Sequence, residues 1–317
     1  MSNYNNIFEK IDSSSEDNNL QDLSFLNEIV KEMCKLYNEG LKCKNSRSIL
    51  ETLEQFLLKK KQNPVNIIDF CLDDQTNPTI QLVLASCYRY GKWVEKDDHK
   101  AFNYYQKSAE MGDASGICNV GYCYDEGIGV EKDEYKAFIY FKKSAEMGNA
   151  YGAFNVGNCY NHGIGVYKDE HKAFIYYQKS AEVGDARGAF SLGACYRTGN
   201  GVEKDEHKAF IYYQKSAEMG DTSGMSLVAE CYRNGIGITR DLHKAKHWYQ
   251  REKDLTSVAN KCDWLRNIEI DDNLKKILTE NQYQLSWIPY DDFKSIKKID
   301  LLRLNYCMNQ IIIMKNL

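Results

Sequence analysis

One dipeptide recurs along the chain: Lys100-Ala101, Lys136-Ala137, Lys172-Ala173, Lys208-Ala209 and Lys244-Ala245, each 36 residues after the last. The cysteines Cys87, Cys123, Cys159, Cys195 and Cys231 keep the same interval. Around the pairs run AFNYYQKSAEMG, AFIYFKKSAEMG, AFIYYQKSAEVG and AFIYYQKSAEMG, then a divergent AKHWYQREKD. A period of this length means stacked supersecondary units, none of which can bury its apolar face alone.

Each unit reads as two helices. In the third copy the first helix runs from Ala150 to about Asn161 and stops at Gly163; the loop GIGVYKD follows. The second starts near Asp169 and stops at Gly184. Asp133, Asp169, Asp205 and Asp241 start second helices, because a carboxylate accepts a bond from the unpaired amides of a first turn. Gly112, Gly148, Gly184 and Gly220 end them, because glycine takes the left-handed conformation that closes a helix. Ala173, Phe174, Tyr176, Tyr177, Ser180 and Ala181 fall at helical spacing, and no β-branched run has period two. The expected fold class is therefore all-α, an α-solenoid of helix-turn-helix repeats.

The stretch FNVGNCYNHGIGVYKDEHKAFIYYQKSAEVGDA, from Phe154 to Ala186, resembles the Sel-1-like repeat, a relative of the tetratricopeptide repeat. Four copies match well: Ala114 to Gly148, Ala150 to Gly184, Ala186 to Gly220, and Thr222 to about Arg251. A degenerate first copy, Pro78 to Gly112, carries Trp93 where the others have a loop glycine. The resemblance implies a right-handed superhelix that binds partners and scaffolds complexes, with the first helices lining its concave side.

Several sharper readings give way to plain ones. The paired glycines Gly127-Gly129, Gly163-Gly165, Gly199-Gly201 and Gly235-Gly237 follow no strand and lack the lysine-serine ending of a phosphate loop, so they read as turns. One cysteine at the same position in each unit, with no CxxC, reads as a buried small apolar residue, not a zinc ligand or disulfide partner. His99, His171, His207 and His243 share a position that Tyr135 fills in the second copy, which suits a surface or capping role better than a catalytic base. Tyr104-Tyr105, Tyr140-Phe141, Tyr176-Tyr177, Tyr212-Tyr213 and Trp248-Tyr249 read as a repeated core pair. A net charge of −4 supplies no basic groove for nucleic acid. No run approaches the roughly 20 apolar residues of a membrane span. Neither a cofactor nor a metal site is expected. A polar N-terminus without signal-peptide character points to the cytoplasm, with the nucleus as the alternative.

Binding is expected where the first helices vary. Counted from the opening residue as zero, positions 1, 5, 8 and 12 share one helix face. They read Ser115, Asn119, Tyr122, Glu126; Tyr151, Asn155, Asn158, His162; Arg187, Ser191, Ala194, Thr198; and Ser223, Leu227, Glu230, Asn234. Asn119, Tyr122, Tyr151, Asn155, Asn158, His162, Arg187 and Glu230 are the candidates for contact with peptide segments of other proteins.

The expected domain order is a disordered segment 1–22, a helical cap 23–76, five repeats over 77–253, capping helices over 254–282 and a tail 283–317. In the cap, the stripe from Phe25 to Tyr37 is closed by Gly40; Ser46 starts a second helix that runs out before Pro64; Val65 to Leu72 forms a third. A further helix is expected over Leu255 to Ile268. SWIPYDDFKSIKKID, Ser286 to Asp300, resembles the stretch that opens the kinase domain in fungal proteins joining Sel-1-like repeats to tyrosine-kinase-like domains. No glycine follows Ile299, and the ATP-anchoring lysine and catalytic aspartates of that family are missing. The resulting expectation is a non-catalytic scaffold or adaptor in intracellular signalling. The alternatives are a truncated remnant of a repeat-containing kinase, and a hydrolase of the cysteine-rich Sel-1-like type. The sequence sets no oligomeric state.

Overall fold

The computed structural model describes residues 16–41, 46–74 and 76–266. Among them are thirteen helices and no strand. Three helices come first: α1 (Glu16–Leu41), α2 (Ser46–Lys59) and α3 (Pro64–Leu72). The repeats follow as first-helix and second-helix pairs: α4 (Pro78–Tyr90) with α5 (Asp98–Glu110), α6 (Ala114–Glu126) with α7 (Glu134–Glu146), and α8 (Ala150–His162) with α9 (Glu170–Val183). Next are α10 (Ala186–Thr198) with α11 (Glu206–Glu218), and α12 (Thr222–Asn234) with α13 (Leu242–Arg266). The first helices α4, α6, α8 and α10 pack on their own second helices, and α6, α8, α10 and α12 pack on the second helix of the preceding repeat, which makes an all-α solenoid of repeats. The chain divides into two units, residues 1–249 and 250–317.

The helices begin and end for local reasons. Asp97, Asp133, Asp169 and Asp205 each accept the amide of the residue three further on, at 2.9 Å. Asp113, Asn149, Asp185 and Asp221 cap the first helices in the same way. These bonds satisfy amides that a first turn leaves open.

Between the helices, the two loop glycines do different work. Gly199 closes α10 at φ +84° with ordinary space around it. Gly201, at φ +72°, lies against the first turn of the preceding repeat's α9. A Cβ there would strike the Glu170 carbonyl and come within 2.9 Å of the His171 amide nitrogen. The second glycine is therefore a contact between repeats as well as a turn residue. In the first repeat Trp93 takes this place at φ +63° and donates its indole N–H to Glu54 of α2 at 3.4 Å. What precedes it there is the N-terminal helices, not another repeat, and an indole fits.

The histidines complete the same junction. Nδ1 of His99, His171 and His207 lies 2.9, 3.0 and 2.8 Å from the carbonyl oxygens of Gly129, Gly201 and Gly237, one repeat further along. They clasp the next loop, a role narrower than surface or capping.

The expected core pair of aromatics splits. Tyr105, Phe141, Tyr177 and Tyr213 are buried, whereas Tyr104, Tyr140, Tyr176 and Tyr212 are half-buried. Adjacent helical residues point about 100° apart, so one core cannot take both. The half-buried rings stack on Tyr88, Tyr124, Tyr160 and Tyr196 at 5.5–5.8 Å. Phe102, Phe138, Phe174 and Phe210 meet the tyrosine of the next repeat edge-on at 5.2–5.7 Å. Lys100, Lys136, Lys172, Lys208 and Lys244 each sit over one of these tyrosines at 5.1–5.3 Å.

Three expectations for the ends are revised. Helix α1 begins at Glu16, inside the segment read as disordered, and it runs through Gly40 to Leu41. A Cβ at Gly40 would lie 2.9 Å from Ile49 Cγ1, so this glycine admits α2 and does not end the helix. The helix expected from Leu255 is the continuation of α13, because Thr256 stands where Gly112, Gly148, Gly184 and Gly220 follow the other second helices. Helices α1, α2 and α3 share a core with α4, in which Met33, Tyr37, Leu50, Leu53, Leu82 and Val83 are buried. Residues 1–15 and the tail 283–317, including Ser286 to Asp300, lie outside the described residues.

Candidate peptide-binding face

Packing fixes most of each first helix. In α8, Gly152, Ala153, Val156, Gly157 and Cys159 are buried. Gly152 faces Ser144 of the preceding second helix, where a Cβ would lie 2.7 Å from Oγ. Gly157 faces the Tyr177 ring of its own second helix at 2.6 Å. Cys87, Cys118, Cys123, Cys159, Cys195 and Cys231 are buried free thiols, consistent with small apolar filling. Burial pushes the thiols of Cys118 and Cys159 up to about 12 and those of Cys195 and Cys231 to about 11. They are protonated at neutral pH, and a protonated thiol is a poor nucleophile.

The variable stripe is only partly open. Tyr122, Tyr151, Asn158 and Glu230 are half-buried, and His162 and Arg187 are exposed. Asn155 departs from its expected role as a surface contact. It is buried at 9% exposure, and its Nδ2 is directed at Cys118 Sγ, 3.9 Å away in the preceding repeat. Position 5 of one first helix turns toward position 4 of its neighbour, so this side chain lies in the seam. Asn119 donates to the Ser115 carbonyl of its own helix at 2.8 Å. Asn158 accepts the Tyr177 hydroxyl at 2.8 Å. His162 Nε2 lies 3.2 Å from Asn161 Nδ2.

Arg187 joins two repeats. Its guanidinium carbon lies 4.0 Å from the ring centre of Tyr151 and 5.4 Å from that of Phe154. Its Nε and Nη2 donate to Asp185 at 3.0 and 2.6 Å. Tyr151 in turn feels Cys118, Arg187, Asn155 and Tyr122, and burial pushes its hydroxyl up to about 12. Tyr122, Tyr151, Asn155 and Arg187 therefore form one contiguous group. Glu230 lies elsewhere, where it helps burial raise the Cys231 thiol.

Arg89, one place beside the expected stripe, was not singled out by spacing. Its guanidinium carbon lies 4.6 Å from the Tyr122 ring centre. The signal was present: its position reads Arg89, Asp125, Asn161, Arg197, Arg233 from copy to copy, as changeable and polar as the stripe itself.

Among the described residues no group of three or more His, Cys, Asp or Glu could hold a metal ion, and no helix is long and apolar enough to cross a membrane.

The Sel1 repeat pattern matches residues 81–113, 114–149, 150–185, 186–221 and 222–251, more than half of the chain. A Sel1 repeat protein from Oxalobacter formigenes is similar at 32% identity and a TM-score of 0.54, over 65% of this chain and 84% of that one. A protective antigen present in uropathogenic Escherichia coli strains, displaying an SLR fold, is similar at 27% identity and a TM-score of 0.57. That match covers 70% of this chain and 48% of the antigen. No match was found among curated protein sequences. Sel1 repeat proteins generally act in protein–protein interaction. On five matched copies and the stacked helical pairs they form, this chain belongs to the Sel1 repeat family.

Proposed function

We propose that the chain is a non-catalytic scaffold or adaptor that holds segments of other proteins along the variable stripe of its first helices. The observation that carries this reading is the contrast within each first helix. Residues fixed by packing stay small or apolar, while Tyr122, Tyr151, Asn158, Arg187 and Glu230 vary and keep part of their surface open. Aromatic and arginine side chains are the types that dominate protein interfaces. The concave placement of this stripe follows from the family resemblance, and an extended or helical segment suits such a surface. The likeness of Ser286 to Asp300 to the opening of kinase domains in repeat–kinase fusions supports a role in intracellular signalling. The buried, protonated thiols favour a scaffold over a thiol-dependent hydrolase.

The test compares two variants by quantitative recovery of partners from cell extract. Tyr151→Ala/Arg187→Ala/Glu230→Ala alters the stripe. Ile139→Ser/Ile175→Ser/Ile211→Ser alters exposed positions on the second helices. With helical circular dichroism unchanged in both, the first should lose proteins that the second retains. Retention by the first and loss by the second would refute the stripe.

A further inference from the structure

Arg89 is a half-buried cation without a counter-ion. It lies in the last turn of α4, and its guanidinium carbon is 5.0 Å from the ring centre of Tyr90 and 4.6 Å from that of Tyr122 in the next repeat. Among the described residues it makes no ion pair, whereas three lysines of the same repeat do. Lys92 pairs with Glu54 at 2.7 Å, Lys96 with Asp98 at 3.3 Å and Lys100 with Asp97 at 3.7 Å. Arg187 of the same face is held by Asp185. Taking a charge partly out of water without a partner is costly, so its retention calls for a reason.

Its surroundings hold it in place without using up its donors. The Tyr105 hydroxyl approaches the guanidinium. That hydroxyl lies 3.3 Å from Ser86 Oγ, which lies 2.7 Å from the Tyr37 hydroxyl of α1. A chain of hydroxyl groups thus runs from the N-terminal helix to the arginine. A guanidinium carries five N–H groups in its plane, and aromatic faces attract the cation without accepting those bonds. Most of the fork is left for a ligand. Arg47 of α2 adds positive potential felt at Tyr90.

We propose that Arg89, walled by Tyr90 and Tyr122, receives a carboxylate side chain of an acidic peptide segment laid across the first two repeats. This deepens the scaffold reading and rests on it. A carboxylate matches the fork through two parallel bonds. One fork and one outlying arginine suit a single negative charge; a phosphorylated side chain, at about −2, calls for a denser cluster of arginines.

The test is fluorescence anisotropy on the full chain with a labelled, terminally blocked peptide alternating glutamate and alanine. A glutamine-for-glutamate version and a phosphoserine-for-glutamate version run beside it, with inorganic phosphate as competitor. The glutamate peptide should bind at least about tenfold tighter than the glutamine peptide, as a bidentate charged pair implies. Arg89→Met should abolish that preference, Arg89→Lys should keep part of it, and Arg233→Met should leave it unchanged. Equal binding of the two peptides, no binding of either, a preference surviving Arg89→Met, or stronger binding of phosphoserine or phosphate would each overturn the proposal. If Arg89→Met does not fold, Tyr122→Glu decides, because it lays an internal carboxylate against the guanidinium. Loss of the preference supports the site and its survival overturns it. Partner recovery with the Tyr151/Arg187/Glu230 variant leaves Arg89 untouched, so the scaffold reading is judged separately.

Discussion

Replacing Gly199 and Gly201 by alanine, one at a time, separates a turn requirement from a contact between repeats. Both residues have positive φ, so alanine at either meets left-handed backbone strain of about 1–2 kcal/mol. At Gly199 nothing more is expected, since the nearest neighbours of a Cβ, Lys204 Cβ and the Val202 carbonyl, lie 3.7 Å away. At Gly201 the Cβ meets the Glu170 carbonyl, which belongs to a helical turn and cannot swing aside as a side chain would. Relief requires the α8–α9 and α10–α11 pairs to separate, and overpacking of that kind costs about 1–3 kcal/mol. Separation also weakens the bond between His171 and the Gly201 carbonyl, for about another 1 kcal/mol. Gly201→Ala should therefore cost about 3–6 kcal/mol in all. Urea unfolding followed by helical circular dichroism gives the two losses. Hydrogen exchange should place the extra loss for Gly201→Ala at the junction of the third and fourth repeats, because stability in repeat arrays is shared between units and their interfaces. Equal losses for the two variants, within about 0.5 kcal/mol, would refute the claim that the second glycine is an interface residue.

Three further outcomes follow. Tyr135 is 64% exposed at the position where His171 and His207 clasp the next loop, so Tyr135→His should add the missing bond to the Gly165 carbonyl and stabilise by about 0.5 kcal/mol in urea unfolding. Burial raises the Cys159, Cys195 and Cys231 thiols to about 12, 11 and 11, so they should resist Ellman's reagent in the folded state and react on unfolding. Unfolded thiols ionise first, near about pH 8.5, so the stability from these groups is whole below that pH and declines as pH rises toward the folded values; thermal melts across this range report it. Asp97, Asp133, Asp169 and Asp205 are held below the usual carboxylate range, chiefly by the backbone N–H of Lys100, Lys136, Lys172 and Lys208. Their contribution is whole above about pH 3.9 and is lost as pH falls through the lowered values. Asp169→Asn, which keeps the accepting oxygen but cannot titrate, should soften the acid loss of helical signal.

Properties that one unit settles alone were legible in its residues. The 36-residue interval, the capping Asp and closing Gly residues, and the small residues around each Cys set the helices and their stacking, because these are one-helix properties repeated in register. Even the unbroken α13 was written in Thr256, where the closing glycine is absent. Relations between units emerged from packing alone: which tyrosine of each pair is buried, that Gly201 lies on the Glu170 carbonyl, that Asn155 turns into a seam, and that Arg89 of one repeat meets Tyr122 of the next. Helical periodicity places residues on a face, but the packing angle between neighbouring helices decides whether that face meets solvent, a ring or a backbone carbonyl.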